Sequence, residues 1–468
     1  MQEQGSSEQA ASRLMARESG LARALGARQL TMIALGGAIG TGLFLGSALA
    51  VKMAGPGVIV SYGIGALLAW LLTRALAEMA VAHPTAGSFG AYAELYTSPW
   101  AGFAVRWSYW LAQALVIGAD AAALAIYAGW WFPAVPAWAW VAGFGALLVG
   151  LNARSVQQFG QIEYVFSAVK LLAIACFVVF GVLLIVGYVP GSPAVGLRNL
   201  TANGGFLPMG WAGVWLAVSF VIFGFIGTEV VAVTAGEAED PVHTVPKSLR
   251  NTVLRLTLFY VAAIFVLVTI VPWNSQPTGE GVTASPFVLV FQQVGIPAAA
   301  HLVNFVVLVA ALSAMNCNLY TATRTLFSLA RAGQAPRALG TVSASGVPVG
   351  ALAATSSGLV VAVLLAAWLP GDAFFHLFGV AMFAGLFAWL TSFITHVWFR
   401  RVWAREGRTL PLRLAGGSGW SALGALAVFA IMVTSWWVPA MHVTLLVGIP
   451  WVLLLSVVYW VWFRGVRA

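Results

Sequence analysis

Residues 36–42 read Gly-Gly-Ala-Ile-Gly-Thr-Gly, inside an apolar run that extends over about 29–52. Four glycines in seven positions, each costing about 1 kcal/mol relative to alanine in a helix interior, oppose an unbroken helix there. A second stretch, Phe223-Gly224-Phe225-Ile226-Gly227-Thr228-Glu229, interrupts the run over 211–237 and ends in an acid. Unwound backbone at membrane depth is tolerated only where it is buried in protein or lines a cavity. Glycines also let helices pack closely, so either stretch alone leaves both readings open. The pair is more informative.

The surroundings of these stretches are those of a membrane protein. The chain of 468 residues is 61% hydrophobic and 8% charged, with a mean hydropathy of +0.91. A soluble domain carries about 25% charged residues, so most of this surface faces something other than water. Reading for runs of about 20 apolar residues gives twelve spans: 29–52, 56–82, 98–131, 136–152, 158–188, 211–237, 251–272, 298–331, 348–368, 373–400, 418–436 and 439–463. A closed barrel would need alternating segments of about 10 residues, and these runs are continuous. Residues 1–28 form a polar tail, and 29–464 read as one membrane domain with no dividing linker. Arg13, Arg17, Arg23 and Arg28 punctuate the start, with no apolar core before Leu30, so no cleavable signal peptide is expected.

Charge sets the direction. With the N-terminus in the cytoplasm, Arg154, Lys247, Arg250, Arg331, Arg337, Arg400, Arg401, Arg405, Arg408, Arg413, Arg464 and Arg467 all fall inside, and only Lys52 and Arg198 fall outside. Both termini are then cytoplasmic, and the net charge of +9 reflects orientation rather than nucleic acid. Cys176 and Cys317 sit in apolar runs without metal or redox spacing and are expected to be buried. His83, His243 and His396 form no ligand cluster and read as membrane-edge residues.

Spans 1 and 6 each open a set of five, and because five is odd the second set is inverted relative to the first. Matching interrupted segments in two inverted halves point to the binding site of a secondary transporter. Amides of Thr41, Gly42 and Leu43, beyond the Gly40 break, can hold a carboxylate. Freed carbonyls around Ala38, Ile39, Phe223 and Ile226, beside Gly224 and Gly227, can accept from an ammonium. A zwitterion needs both.

These residues resemble the amino acid–polyamine–organocation superfamily, specifically its bacterial amino acid transporter family of permeases. The resemblance runs from about Leu30 to Pro348. It rests on LGGAIGTGLFLGS, AEMAVAHPTAGSFGAYA, FGQIEYVFSAVK, FGFIGTEVVAVTAGEAEDPVHTVPKSLR and NFVVLVAALSAMNCNLYTATRTLFSLARAGQAP. It implies an all-α, LeuT-like fold of two inverted five-helix repeats plus two extra helices. It also implies an amino acid held by spans 1, 3, 6, 8 and 10, in the inner membrane of a bacterium.

Ionisable groups within spans are costly and default to functional candidates. Lys170 lies about twelve residues into span 5; it either snorkels to the cytoplasmic face or gains and loses a proton during transport. The resemblance favours the second, because proton-coupled relatives place a lysine here where sodium-driven ones bind sodium. Its protonated amine is expected to bond to freed carbonyls of span 1 and to oxygens of span 8 such as Ser313. Asp120, in span 3, departs from the glutamate common in the family; it either contacts substrate or bonds a neighbouring helix. Glu229 either caps amides of the helix after the break or handles substrate or protons. Asn316 and Asn318 either line the cavity or bond across helices. The acids of the 236–240 loop read as solvated, and Pro246 is expected to begin a helix there.

No HExxH, GxSxG or clustered His/Cys suggests an enzyme, and no sensing domain or charged ring suggests a receptor or channel. No cofactor is called for, and oligomeric state is open. The sequence reads as a proton-coupled amino acid symporter, with an exchanger of the same fold as the alternative. Phe223 and Asp120 without an added basic residue suit a neutral or small polar side chain.

Overall fold

In the computed structural model the described residues are 27–85, 87–154, 156–189, 193–233, 240–275, 285–293, 297–343, 346–369, 373–413 and 416–463. Nearly all of the expected tail, the acids Glu237 and Glu239, and the terminal Arg464 and Arg467 lie outside them. Among the described residues the regular elements are all helices, with no strand.

The first glycine-rich run is three pieces. Helix α1 (Ala27–Ala38) stops at Ala38, α2 (Thr41–Phe44) restarts beyond Ile39 and Gly40, and α3 (Ser47–Ala54) follows. Gly40 is extended, at φ −144° and ψ −152°, so the hydrogen-bond ladder cannot run through it. Gly55, at φ +61°, turns the chain into α4 (Val58–Ala82). Then come α5 (Ser88–Tyr96), α6 (Pro99–Gly129), α7 (Ala137–Asn152) and α8 (Val156–Val186). Ser98 caps α6 by accepting the Ala101 N–H at 3.1 Å.

The second glycine-interrupted run splits likewise into α9 (Gly210–Phe223), turns over 224–229, and α10 (Val230–Val233). Helix α11 (Pro241–Ile270) begins at Pro241 rather than at Pro246. Asp240 accepts the His243 N–H at 3.4 Å and Pro241 fills the first turn, leaving Pro246 inside the helix. The chain continues through α12 (Pro286–Gln293), α13 (Pro297–Arg331), α14 (Val349–Thr355), α15 (Ser357–Trp368), α16 (Ala373–Arg405), α17 (Gly417–Thr434) and α18 (His442–Val458).

Nine described helical stretches are long and apolar enough to cross a bilayer, and three shorter apolar ones are Thr31–Phe44, Ala137–Asn152 and Gly210–Phe223. The long helices are therefore fewer than the twelve runs read from the sequence. Glycine breaks shorten the first and sixth runs, and α7 has only 16 residues.

Helix α6 is the axis of the packing. It lies against α13, α16, α15 and α7, while α11 packs on α4 and α8 on α1 and α13. The most apolar window of α6 is 83% buried, against 28% for the stretch containing α17 and 17% for that containing α18. The last two helices thus sit at the periphery. Gly358 of α15 meets the Ala114 carbonyl of α6 so closely that no Cβ fits, the small-residue contact by which membrane helices approach. Cys176, expected to be buried, is exposed, because its face of α8 turns outward along with Leu172 and Val179; Cys317 is buried.

An ion pair on the fully buried Glu78 clamps α4 to α16. Arg400 donates to both Glu78 oxygens at 2.7 and 2.8 Å, and His396 Nε2 lies 3.4 Å from Glu78. His396 is fully buried and bonds Ser421 at 2.8 Å, so it belongs to this helix contact rather than to a membrane edge. Removing one partner of a buried pair leaves an uncompensated charge, at a cost of about 3 kcal/mol. Arg400→Ala should accordingly lower the thermal unfolding midpoint in detergent; an unchanged midpoint would contradict the clamp.

Candidate functional site

The two breaks meet. Gly227, at φ +109°, packs so tightly on the first break that a Cβ there would lie 2.9–3.0 Å from backbone atoms of Gly37 and Ala38. A Cβ on Gly42 would lie 2.8 Å from the Phe223 ring and 3.1–3.2 Å from the Gly224 backbone. Glycine is required at these positions for approach as well as for flexibility. The Tyr260 hydroxyl of α11 then joins the two breaks, lying 2.7 Å from the Ala38 carbonyl and 2.9 Å from the Gly224 carbonyl.

A small cavity of about 20 Å³ forms at this junction. Its wall includes Ala38, Gly40, Thr41, Gly42, Asp120, Phe223 and Ile226, all expected from the sequence, together with Gln113, Val116 and Asn318. Among the described residues, Asp120 is the one charged residue of the wall. Its two oxygens accept from Thr41 Oγ1 at 2.6 Å and Asn318 Nδ2 at 2.9 Å, so it links α2, α6 and α13 while facing the cavity. Phe223 packs against Phe378 of α16 with centroids 4.0 Å apart and the rings tilted by 36°, which brings that helix to the same place.

Four expected residues stand outside the wall. Leu43 is core, and its N–H bonds Gly40 at 3.2 Å, so the amides facing the cavity reduce to Thr41 and Gly42. The Ile39 carbonyl accepts from Lys170 rather than opening to the cavity. Gly224 and Gly227 serve the junction of the breaks. Of the carbonyls expected to be free, Ala38 accepts from Tyr260, Ile39 from Lys170, and Phe223 from the Ile226 N–H at 3.1 Å. Each carbonyl keeps a second lone pair.

Lys170 is fully buried, and its Nζ donates to the Gly36 carbonyl at 2.6 Å and the Ile39 carbonyl at 2.9 Å. It does not snorkel. Ser313, expected to bond to it, instead donates to Glu163, which also accepts from Ser167 at 3.1 Å and Asn316 at 3.2 Å. The competing acid took the hydroxyl. Asn316 further accepts from Asn152 at 2.7 Å, so of the two asparagines Asn318 faces the cavity and Asn316 joins helices. Glu163 was missed by the sequence reading, although it precedes Lys170 by seven residues and so shares its face of α8.

Glu229 does not cap the helix after the break. Its carboxylate folds back to accept the Gly227 N–H at 3.0 and 3.1 Å and the Tyr109 hydroxyl at 3.0 Å. Tyr109 in turn accepts from Gln113 Nε2 at 2.9 Å. This order of donation leaves Gln113 Oε1, a cavity residue's acceptor, buried without a partner. The signal for it was present: Tyr109, Gln113 and Asp120 fall on one face of α6 at helical spacing.

The sequence model of the family described as amino acid permease matches residues 29–468. The chain is 37% identical to the uncharacterized amino acid permease YtnA of Bacillus subtilis, over 94% of this chain and 95% of that protein. It is 40% identical to the gamma-aminobutyric acid permease of Bacillus subtilis, over 82% and 81% of the two chains. It is 38% identical to the aromatic amino acid transport protein AroP of Salmonella typhimurium, over 94% and 95%.

The contact between the breaks has a direct test. Gly227→Ala meets both a positive φ and the backbone of Gly37, and is expected to destabilise by more than about 1 kcal/mol. Its unfolding midpoint should fall well below that of Gly63→Ala, whose Cβ meets nothing within 4 Å; equal midpoints would contradict the contact.

Proposed function

Because the chain belongs to the amino acid permease family, we propose that this multi-pass membrane protein imports neutral amino acids by proton symport across a bacterial inner membrane. Two inverted five-helix repeats plus two further helices carry the transport, with both termini cytoplasmic. Amino acid transport follows from the family; the coupling ion and the substrate class are the proposal.

The observation that carries proton coupling is the position of Lys170. A sodium ion would require a cage of several oxygens. Here a covalently held ammonium already bridges two carbonyls at the end of α1. Protonated, Lys170 makes charge-assisted bonds that hold α1 against α8. On losing the proton it gives up that charge, and α1 is released to move. Glu163 and Ser313 lie beside this bridge and shape where the proton goes.

The substrate's carboxylate is assigned to the amides of Thr41 and Gly42, where a restarted helix presents unsatisfied N–H groups. Its ammonium is assigned to the second lone pairs of the break carbonyls and to Asp120. The wall offers no basic side chain to an acidic substrate. The relatives named for aromatic amino acids and gamma-aminobutyric acid fit the same class. At about 20 Å³ the cavity holds roughly one water rather than an amino acid, so binding requires its walls, Phe223 foremost, to move.

Uptake into vesicles containing only this protein should rise as external pH falls, collapse with a protonophore, and ignore replacement of sodium by choline. Lys170→Ala should lose concentrative uptake while retaining exchange. Sodium-dependent uptake, or accumulation against a gradient by Lys170→Ala, would refute the coupling. Gly42→Leu should abolish substrate binding in protein that is still inserted and folded, and unchanged affinity would remove that segment from the site.

A further inference from the structure

A second pocket, of about 380 Å³, shares no wall residue with the first. It is formed by α4, the first three turns of α11, and residues 412–413 ahead of α17. Four cations line it: Arg74, Lys247, Arg250 and Arg413. Among the described residues, no carboxylate pairs with any of the four. The described acid nearest in sequence, Asp240, pairs at 2.9 Å with His243, itself in the wall. The other arginine-rich cleft, around Arg400 and Arg408, differs in this respect, because those side chains already pair with Glu78 and Glu406. Four like charges gathered around one concavity repel one another, and an anion seated between them reverses the sign of that energy.

The rest of the wall says which anion. Ala77, Leu249 and Leu412 give the pocket an apolar floor, which a bare phosphate would leave wet and a glycerol backbone would cover. Trp70 lies under the Arg74 guanidinium, 5.4 Å from ring centroid to cation, in the manner of indoles at headgroup level. Arginine forks match phosphate oxygens, and basic pockets between membrane helices hold anionic headgroups. We propose that this pocket binds the phosphate headgroup of an anionic phospholipid, tying α4 to α11 from the bilayer side.

The test uses the full-length protein, purified in detergent, by native mass spectrometry against phosphatidylglycerol. One phosphatidylglycerol should bind saturably, and phosphatidylcholine should not. Lys247→Gln, Arg250→Gln and Arg413→Gln, all at exposed positions, should each weaken binding about fivefold, equivalent to about 1 kcal/mol per charge. The triple variant should weaken it about a hundredfold with its unfolding midpoint kept. Should that variant lose its fold, the three single variants carry the same test. Wild-type affinity in the variants, or equal binding of phosphatidylcholine, would overturn the proposal. So would displacement of the lipid by millimolar inorganic phosphate, which would mark a site for soluble anions.

Discussion

At the depth of a bilayer there is no water to satisfy a broken helix, so every carbonyl freed at Ile39 or Gly224 must find a donor within the protein. Tyr260 meets that constraint for both breaks at once, with one hydroxyl between the Ala38 and Gly224 carbonyls. A single O–H carries one proton, so the two carbonyls share it. That sharing ties the breaks together through a third helix. Without it, each break would carry an unsatisfied group costing several kcal/mol, and the glycines would have no compensation.

The remaining hydrogen-bond partners, Lys170 as a donor and Glu229 as an acceptor, follow the same logic. Lys170 serves Gly36 and Ile39 from α8, and Glu229 serves Gly227 from within its own break. Glu229 is in turn held by Tyr109 of α6, so the second break is braced from outside as the first is. Helix α6 can do this because alanines and glycines along it let α13, α15 and α16 close in. Its polar residues Tyr109, Gln113 and Asp120 are then the few groups that reach the junction, all on one face. At the cavity these compensations leave Gln113 Oε1 unmatched.

Much of this was legible in the chain. Glycine spacing located both breaks because helix propensity is a local property, and Lys170 stood out because a lysine twelve residues into an apolar run has no cheap explanation. Partner choice was not legible. Tyr260 lies 222 residues from Ala38, and Ser313 lies 150 from Glu163; which donor meets which acceptor depends on helix rotation and packing, not on either segment alone. Ser313 was therefore given to Lys170 when Glu163 held it. Leu43 was counted as a free amide because the tight turn that occupies it follows from Gly40's extended backbone. The twelve apolar runs reappear as nine long helical stretches and three shorter ones, because apolar length persists through a glycine break whereas helical length does not.

In the proposed transport cycle the two breaks act as one amino acid site, which hydrogen–deuterium exchange of the protein in detergent, with and without a saturating transported amino acid, can read. Joint occupation predicts that amides over 40–43 and over 224–229 gain protection together, at the same ligand concentration, while peptides from α17 and α18 do not change. Protection confined to one break, or appearing at neither while uptake remains saturable, would contradict it.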